Sequence, residues 1–156
     1  MRIGIDLGGT KIEGIVLDDN NNILWRKRVK TPRDSYTSLL SNIGNLVQAM
    51  SAEIAVTPNL PIGVGVQGAS NSQHVMKNCN SLNMNGKPFL KDLEETLKRP
   101  VKIANDANCF TLSEACIGSA QQFQSVFGVI LGTGVGGGIV VNKQLLNGPN
   151  QICGEW

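Results

Sequence analysis

A chain of 156 residues, 41% hydrophobic and 17% charged, has material for one domain and part of another, and its composition is that of a chain with a buried core, against an expectation of disorder. The net charge of +2 is spread along the chain with no basic stripe, which excludes a nucleic-acid-binding surface of the usual kind. No uncharged apolar run approaches the ~20 residues that cross a bilayer, and Asp6 interrupts the N-terminus where a signal peptide needs an unbroken apolar core.

In chain order, Ile3 to Leu17 predicts a β-hairpin: an apolar run, the turn Gly8-Gly9-Thr10, and a second β-branched run. Glycines at such a turn are expected to supply backbone positions with φ > 0. A polar turn, Asp18 to Asn22, leads to a third strand over Ile23 to Lys30. Thr31 to Ser35 is a turn suited to cap a helix starting near Tyr36. Leu39, Leu40, Ile43, Leu46, Val47 and Met50 then recur at helical spacing to about Glu53. Ile62 to Val66 predicts a buried strand, and residues 67 to 87 a polar loop or short irregular strands. Phe89 to Leu97 predicts a second helix ended by Pro100. Val101 to Ala104 is a short strand and Asn105 to Ile117 a third helix.

Phe127 to Val141 repeats the template of the first hairpin, with Gly132-Thr133-Gly134 at its turn. Two copies of one hairpin suggest two related lobes facing a shared ligand, although hairpins also recur for structural reasons alone. The alternation of strands and helices predicts a mixed α/β sheet. Residues 1–118 are expected to form one lobe and residues 119–156 the truncated start of a second. Because that second lobe stops after its first strands, the chain reads as a fragment.

Four motifs carry chemistry. In Asp6-Leu-Gly-Gly-Thr-Lys11, a carboxylate at a strand end precedes a glycine turn whose N–H groups can meet phosphate oxygens. Gly8, Gly9 and Thr10 are candidate phosphate contacts, Lys11 can add charge, and Asp6 can hold Mg²⁺ directly or through water. The order Thr-Lys rules out a Walker A loop, and a plain hairpin turn with a solvated Asp is the alternative. Gly132, Gly134 and Gly137 match GxGxxG, but a β run follows where a Rossmann turn needs a helix. Asn105 or Asp106 can cap the third helix, and Asp106 can also serve as a general base there. Gly154-Glu155-Trp156 means little alone, and His74 sits in a polar loop with no role.

With these pieces in order, the sequence resembles the ROK family of bacterial sugar kinases and sugar-responsive repressors over Arg2 to Trp156. Thr31 to Tyr36, Asn105 to Phe110 and Leu131 to Gly138 resemble its N-acetylglucosamine kinases. Lys77 to Ser81 and Gly154-Glu-Trp156 lean toward its fructo/mannokinases. The resemblance implies the N-terminal lobe of an actin-like (ribonuclease H-like) ATPase fold. It also implies transfer of a phosphoryl group from ATP-Mg²⁺ to the 6-hydroxyl of a hexose or N-acylhexosamine. Asp106 would be the catalytic base. Asn105, Glu155, Gly68 and Asn80 would meet the sugar, and Asp6 to Lys11 and Gly132 to Gly134, Thr133 included, would be two phosphate loops. Family members commonly have Pro where this chain has Gln67. They continue past Gly-Glu with a histidine and a Cys-rich zinc motif, so zinc is expected only in that missing part. The family often forms dimers, which makes a homodimer an expectation.

Cys79, Cys109, Cys116 and Cys153 form no metal-knuckle spacing and read as structural thiols, suited to a reducing cytoplasm. Cys109 and Cys116 are expected to share a helix face. Two other functions stand beside the kinase. One is a non-catalytic sugar- or nucleotide-binding module of the same fold. The other is a ROK repressor, disfavoured because the first strand begins at residue 2 with no DNA-binding segment ahead of it.

Overall fold

The computed structural model describes residues 1–57, 59–71, 73–79, 83–132 and 134–155. Asn80 and Thr133, both singled out above, lie outside the described residues. Strands β1 (Arg2–Leu7), β2 (Lys11–Leu17) and β3 (Ile23–Lys30) form an antiparallel meander. On the other side of β1, β4 (Ile62–Val66) pairs in parallel. A small hairpin follows, β5 (Ala69–Ser70) with β6 (Met76–Lys77). β7 (Val101–Asn105) then pairs in parallel with β4, completing a mixed sheet ordered β3-β2-β1-β4-β7.

The alternation within the strands gives this sheet two unlike faces. Ile3, Ile5, Leu7, Ile62, Val64 and Val66 are buried on one, where helices α1 (Tyr36–Glu53) and α2 (Phe89–Leu97) complete the core. Ser35 caps α1 by accepting the Ser38 N–H at 3.0 Å, and Leu39, Ile43, Leu46, Val47 and Met50 form its buried stripe. Each such side chain fully buried is worth about 1.5–3 kcal/mol. Helix α2 ends at Leu97 because Lys98 turns left-handed (φ 52°), two residues earlier than the proline expected to stop it.

The opposite face carries Gly4, Asp6, Gly63 and Gly65, and this bare strip receives helix α3 (Asp106–Cys116). A Cβ built on Gly65 would stand 3.7 Å from Cys109 Sγ and 3.9 Å from Asp106 Cα. A second sheet of β8 (Ser125–Leu131), β9 (Val135–Val141) and β10 (Gln144–Leu145), ordered β10-β9-β8, packs on the far side of α3. Gly128 and Gly138 are cross-strand partners that press on Thr111, and Gly136 faces Ala107. Helix α3 is therefore wedged between two glycine-lined sheets. The other face of β8 presents Phe127, Val129 and Leu131 to solvent.

Of the four cysteines only Cys79 is buried, its thiol donating to the Gln67 carbonyl at 3.2 Å. Cys109, Cys116 and Cys153 are exposed, so the structural role expected of all four applies to Cys79 alone. The small residues that α3 does bury are Ala107, Thr111 and Ala115.

Candidate active site

The two sheets each end a hairpin at the same place. Residues 8–10 join β1 to β2, residues 132–134 join β8 to β9, and both turns open into one cleft of about 450 Å³. Gly9 and Thr10 line it from one side, Gly132 and Gly134 from the other, with Asp106 between them. The expected φ > 0 is absent at Gly8, Gly132 and Gly134; left-handed glycines among the described residues are Gly68, Gly86 and Gly148. Glycine serves the turns differently. A Cβ on Gly8 would stand 3.0 Å from the Lys11 carbonyl, whereas one on Gly134 would meet nothing within 4 Å. At Gly134 the second turn thus leaves backbone open to close approach by a ligand.

Not every turn residue is free to bind. The Gly8 N–H closes its own turn by donating to Lys11 O at 3.0 Å, and the Gly132 N–H donates to Gly134 O at 2.9 Å. Lys11 begins β2 opposite Lys30, exposed and outside the cleft lining. Asp6 pairs with Gly65 on β4, which pairs with Ala104 on β7. The strand ends therefore bring Asp6 and Asp106 to one edge, at the carboxyl ends of the parallel strands where ligands of open α/β sheets bind. Asp6 remains open to solvent and does not line the cleft itself. Partial burial, then Asp106, then Glu13 push its carboxyl above the ordinary range, with Arg28 opposing.

Asp106 is the first residue of α3. Loss of solvent raises its carboxyl above the ordinary range, although the Ala107 N–H donates to it at 2.9 Å. Asn105 is the cap: its Oδ1 accepts the Asn108 N–H at 3.1 Å, and its Nδ2 donates to Gly68 O at 3.2 Å. With 4% of its surface exposed, Asn105 faces inward and does not line the cleft. Replacing it with Ala removes the cap and frees the Gly68 turn, so urea unfolding should show a loss of about 1–2 kcal/mol. An unchanged midpoint would show that neither bond holds the helix start.

Gly68 lines the cleft at φ 85°, where a Cβ would fall 2.6 Å from Lys77 O. Only glycine fits there. Glu155 enters from the segment after β10, against Gly136, and its Oε2 is buried without a hydrogen-bond partner among the described residues. Burial, then Asp106, raise its carboxyl, and the Gly137 N–H opposes them. An unmatched carboxylate oxygen on a residue that lines a cleft is a ready acceptor for a ligand hydroxyl. Asn108 holds this segment in place by donating its Nδ2 to Gln151 O at 2.8 Å.

Among the polar residues lining the cleft, Arg33 and Asn78 were given no role by sequence inspection. Arg33 lies in a turn whose helix-capping role already accounts for its composition, and Asn78 sits in a polar stretch without periodicity. Neither gives a local signal.

Residues 2–156 match the model of the ROK family. The chain belongs to the ROK family. It is 43% identical over 157 residues to an N-acetyl-D-glucosamine kinase of Pectobacterium atrosepticum, covering all of this chain and 51% of that protein. It thus spans about half the length of the curated relatives it matches. A ROK family glucokinase from Streptomyces griseus, solved with glucose and AMPPNP, superposes with a TM-score of 0.87 at 29% identity, covering 99% of this chain and 48% of that one. The inorganic polyphosphate/ATP-glucomannokinase of Arthrobacter sp. strain KM gives 0.83 at 31% identity, covering 98% and 62%. These ROK neighbours make the five-stranded mixed sheet that of the actin-like ATPase fold. Among the described residues no helix is long and apolar enough to cross a membrane.

Proposed function

We propose that this chain carries the phosphate turns and catalytic base of an ATP-dependent hexose or N-acylhexosamine kinase acting on the 6-hydroxyl. The observation that supports it most is the meeting of two equal hairpin turns, one from each sheet, in a single cleft with Asp106 between them. On this reading residues 1–118 are one lobe and residues 119–156 begin the other.

Asp106 accepts the proton of the sugar hydroxyl as that oxygen attacks the terminal phosphorus and the bond to the departing diphosphate breaks. Its raised carboxyl is better matched to that proton than an ordinary aspartate would be. Glu155 holds sugar hydroxyls with its unmatched oxygen, and the Gly68 turn shapes the pocket wall. Asn105 acts from behind, fixing Gly68 and the start of α3.

For the nucleotide, the bare turns fit phosphate oxygens: Gly9 and Thr10 on one side, Gly134 on the other. For Mg²⁺, the available donor is the open carboxylate of Asp6. Among the described residues no group of three or more acidic, His or Cys side chains could hold a metal by itself. Mg²⁺ is commonly held by one or two carboxylates together with substrate phosphates. When bound, Mg²⁺ supplies charge neutralisation at the phosphates.

The test is ADP release from ATP-Mg²⁺ with glucose, mannose and their N-acetylamino counterparts, each beside its 6-deoxy analogue. It is run on this chain and on any longer product of its reading frame. Release with the parent sugars and none with the 6-deoxy sugars is expected. Sugar binding without release in any form would point instead to a non-catalytic binding module.

A further inference from the structure

We propose that Arg33 is a phosphoryl-binding residue, a guanidinium built into the β3–α1 turn to grip the anionic group transferred in this cleft. The proposal rests on the kinase reading above and adds to it a residue that none of the four motifs given a chemical role contains.

Three observations carry it. First, charge: among the described residues lining the cleft, Asp106 and Glu155 are acidic and Arg33 alone is basic. Lys11, the cation expected from the motif, is exposed and not among the residues lining the cleft. A cleft that takes a polyphosphate beside two carboxylates needs a positive group, and this is the one it has. Second, availability: among the described residues no ion pair or hydrogen bond engages the Arg33 side chain, even though Asp34 is its neighbour in sequence. Asp34 is already occupied, accepting the Ser38 hydroxyl at 2.6 Å. Elsewhere the chain does pair its arginines, as Arg26 and Arg28 on Glu13 show.

Third, placement: the turn that bears Arg33 is bolted to the first phosphate turn. Thr31 donates its N–H to Thr10 O at 3.0 Å and its hydroxyl to Gly8 O at 2.7 Å, and it is 1% exposed. On the other side Ser35 anchors the turn to α1. Pro32 stiffens the span between these anchors. Arg33 is therefore held at a set position relative to Gly9 and Thr10. A planar guanidinium offers phosphate two parallel N–H donors, which a lysine cannot. Charge on the equatorial oxygens of a transferring phosphoryl group is what such a fork recognises.

The experiment titrates inorganic tripolyphosphate with Mg²⁺ into wild type, Arg33→Gln and Arg33→Lys by calorimetry, with thermal unfolding of each. Arg33→Gln should weaken binding by about 10- to 100-fold at unchanged Tm, and Arg33→Lys should recover part of the loss. In any form that turns over, Arg33→Gln should lower kcat and raise KM for ATP while leaving KM for the sugar in place. Equal tripolyphosphate binding by wild type and Arg33→Gln overturns this proposal and leaves the kinase reading standing. A rise in sugar KM alone also overturns it, because Arg33 would then be a sugar contact. Failure of wild type to bind tripolyphosphate overturns both.

Discussion

Asp106→Asn is expected to lower turnover by about 10²- to 10⁴-fold, the usual contribution of a positioned general base. The amide keeps the size of the side chain and cannot take the hydroxyl proton. Asn105 continues to cap α3, so the helix start should survive the change. The pH dependence follows from the same residue. A base in the proposed role works only when ionised, and burial raises the Asp106 carboxyl above the ordinary aspartate value of 3.8. Activity should therefore fall, as pH falls, at a higher pH than an unperturbed aspartate would give. For stability the sign is opposite. A carboxyl raised in the folded state contributes fully below its unfolded pKa and loses that contribution as pH rises through the folded value. At neutral pH the variant, free of a half-buried charge near Asp6 and Glu155, should melt no lower than wild type. Turnover retained at a tenth or more of wild type, below the ~10²-fold loss expected, would remove Asp106 from the role of base.

Gly138→Val should destabilise the chain by about 3 kcal/mol, the upper end of what overpacking costs. A Cβ at this position would stand 2.6 Å from Thr111 Oγ1 and 2.8 Å from the Ala107 carbonyl. The first neighbour is a side chain, but the second is helix backbone one residue from Asp106 and has nowhere to go. At Gly128 all the close atoms belong to the Thr111 side chain. Trimming Thr111 to Ala should therefore rescue Gly128→Ala and leave most of the Gly138→Val loss in place. Thermal unfolding of the singles and doubles measures the difference. Equal rescue of both would mean that α3 can move away from β9.

Much of the fold was legible locally. The strand over residues 62–66, the helices over 36–53 and 89–97, and both hairpins were read from periodicity and turn residues, which are short-range properties of the chain. The pairing of Gly8-Gly9-Thr10 with residues 132–134 was legible as a repeat, and the family from four motifs in order. The glycines were misread. Left-handed conformations were expected of the turn glycines and are absent at Gly8, Gly132 and Gly134, while Gly128, Gly136 and Gly138, given no role, let α3 approach. Local sequence cannot separate those uses, because both require only the absence of a Cβ.

The sequence by itself therefore determined the elements, their order and the residue types available for phosphate and proton chemistry. The tertiary structure decided which of those residues meet. It turned Asn105 inward to hold Gly68, kept Lys11 out of the cleft, and brought Arg33 and Glu155 to the same cavity from segments more than a hundred residues apart. Those outcomes depend on how two glycine-faced sheets close on one helix. Packing of that kind is a property of surfaces brought together in space, and no window of neighbouring residues contains it.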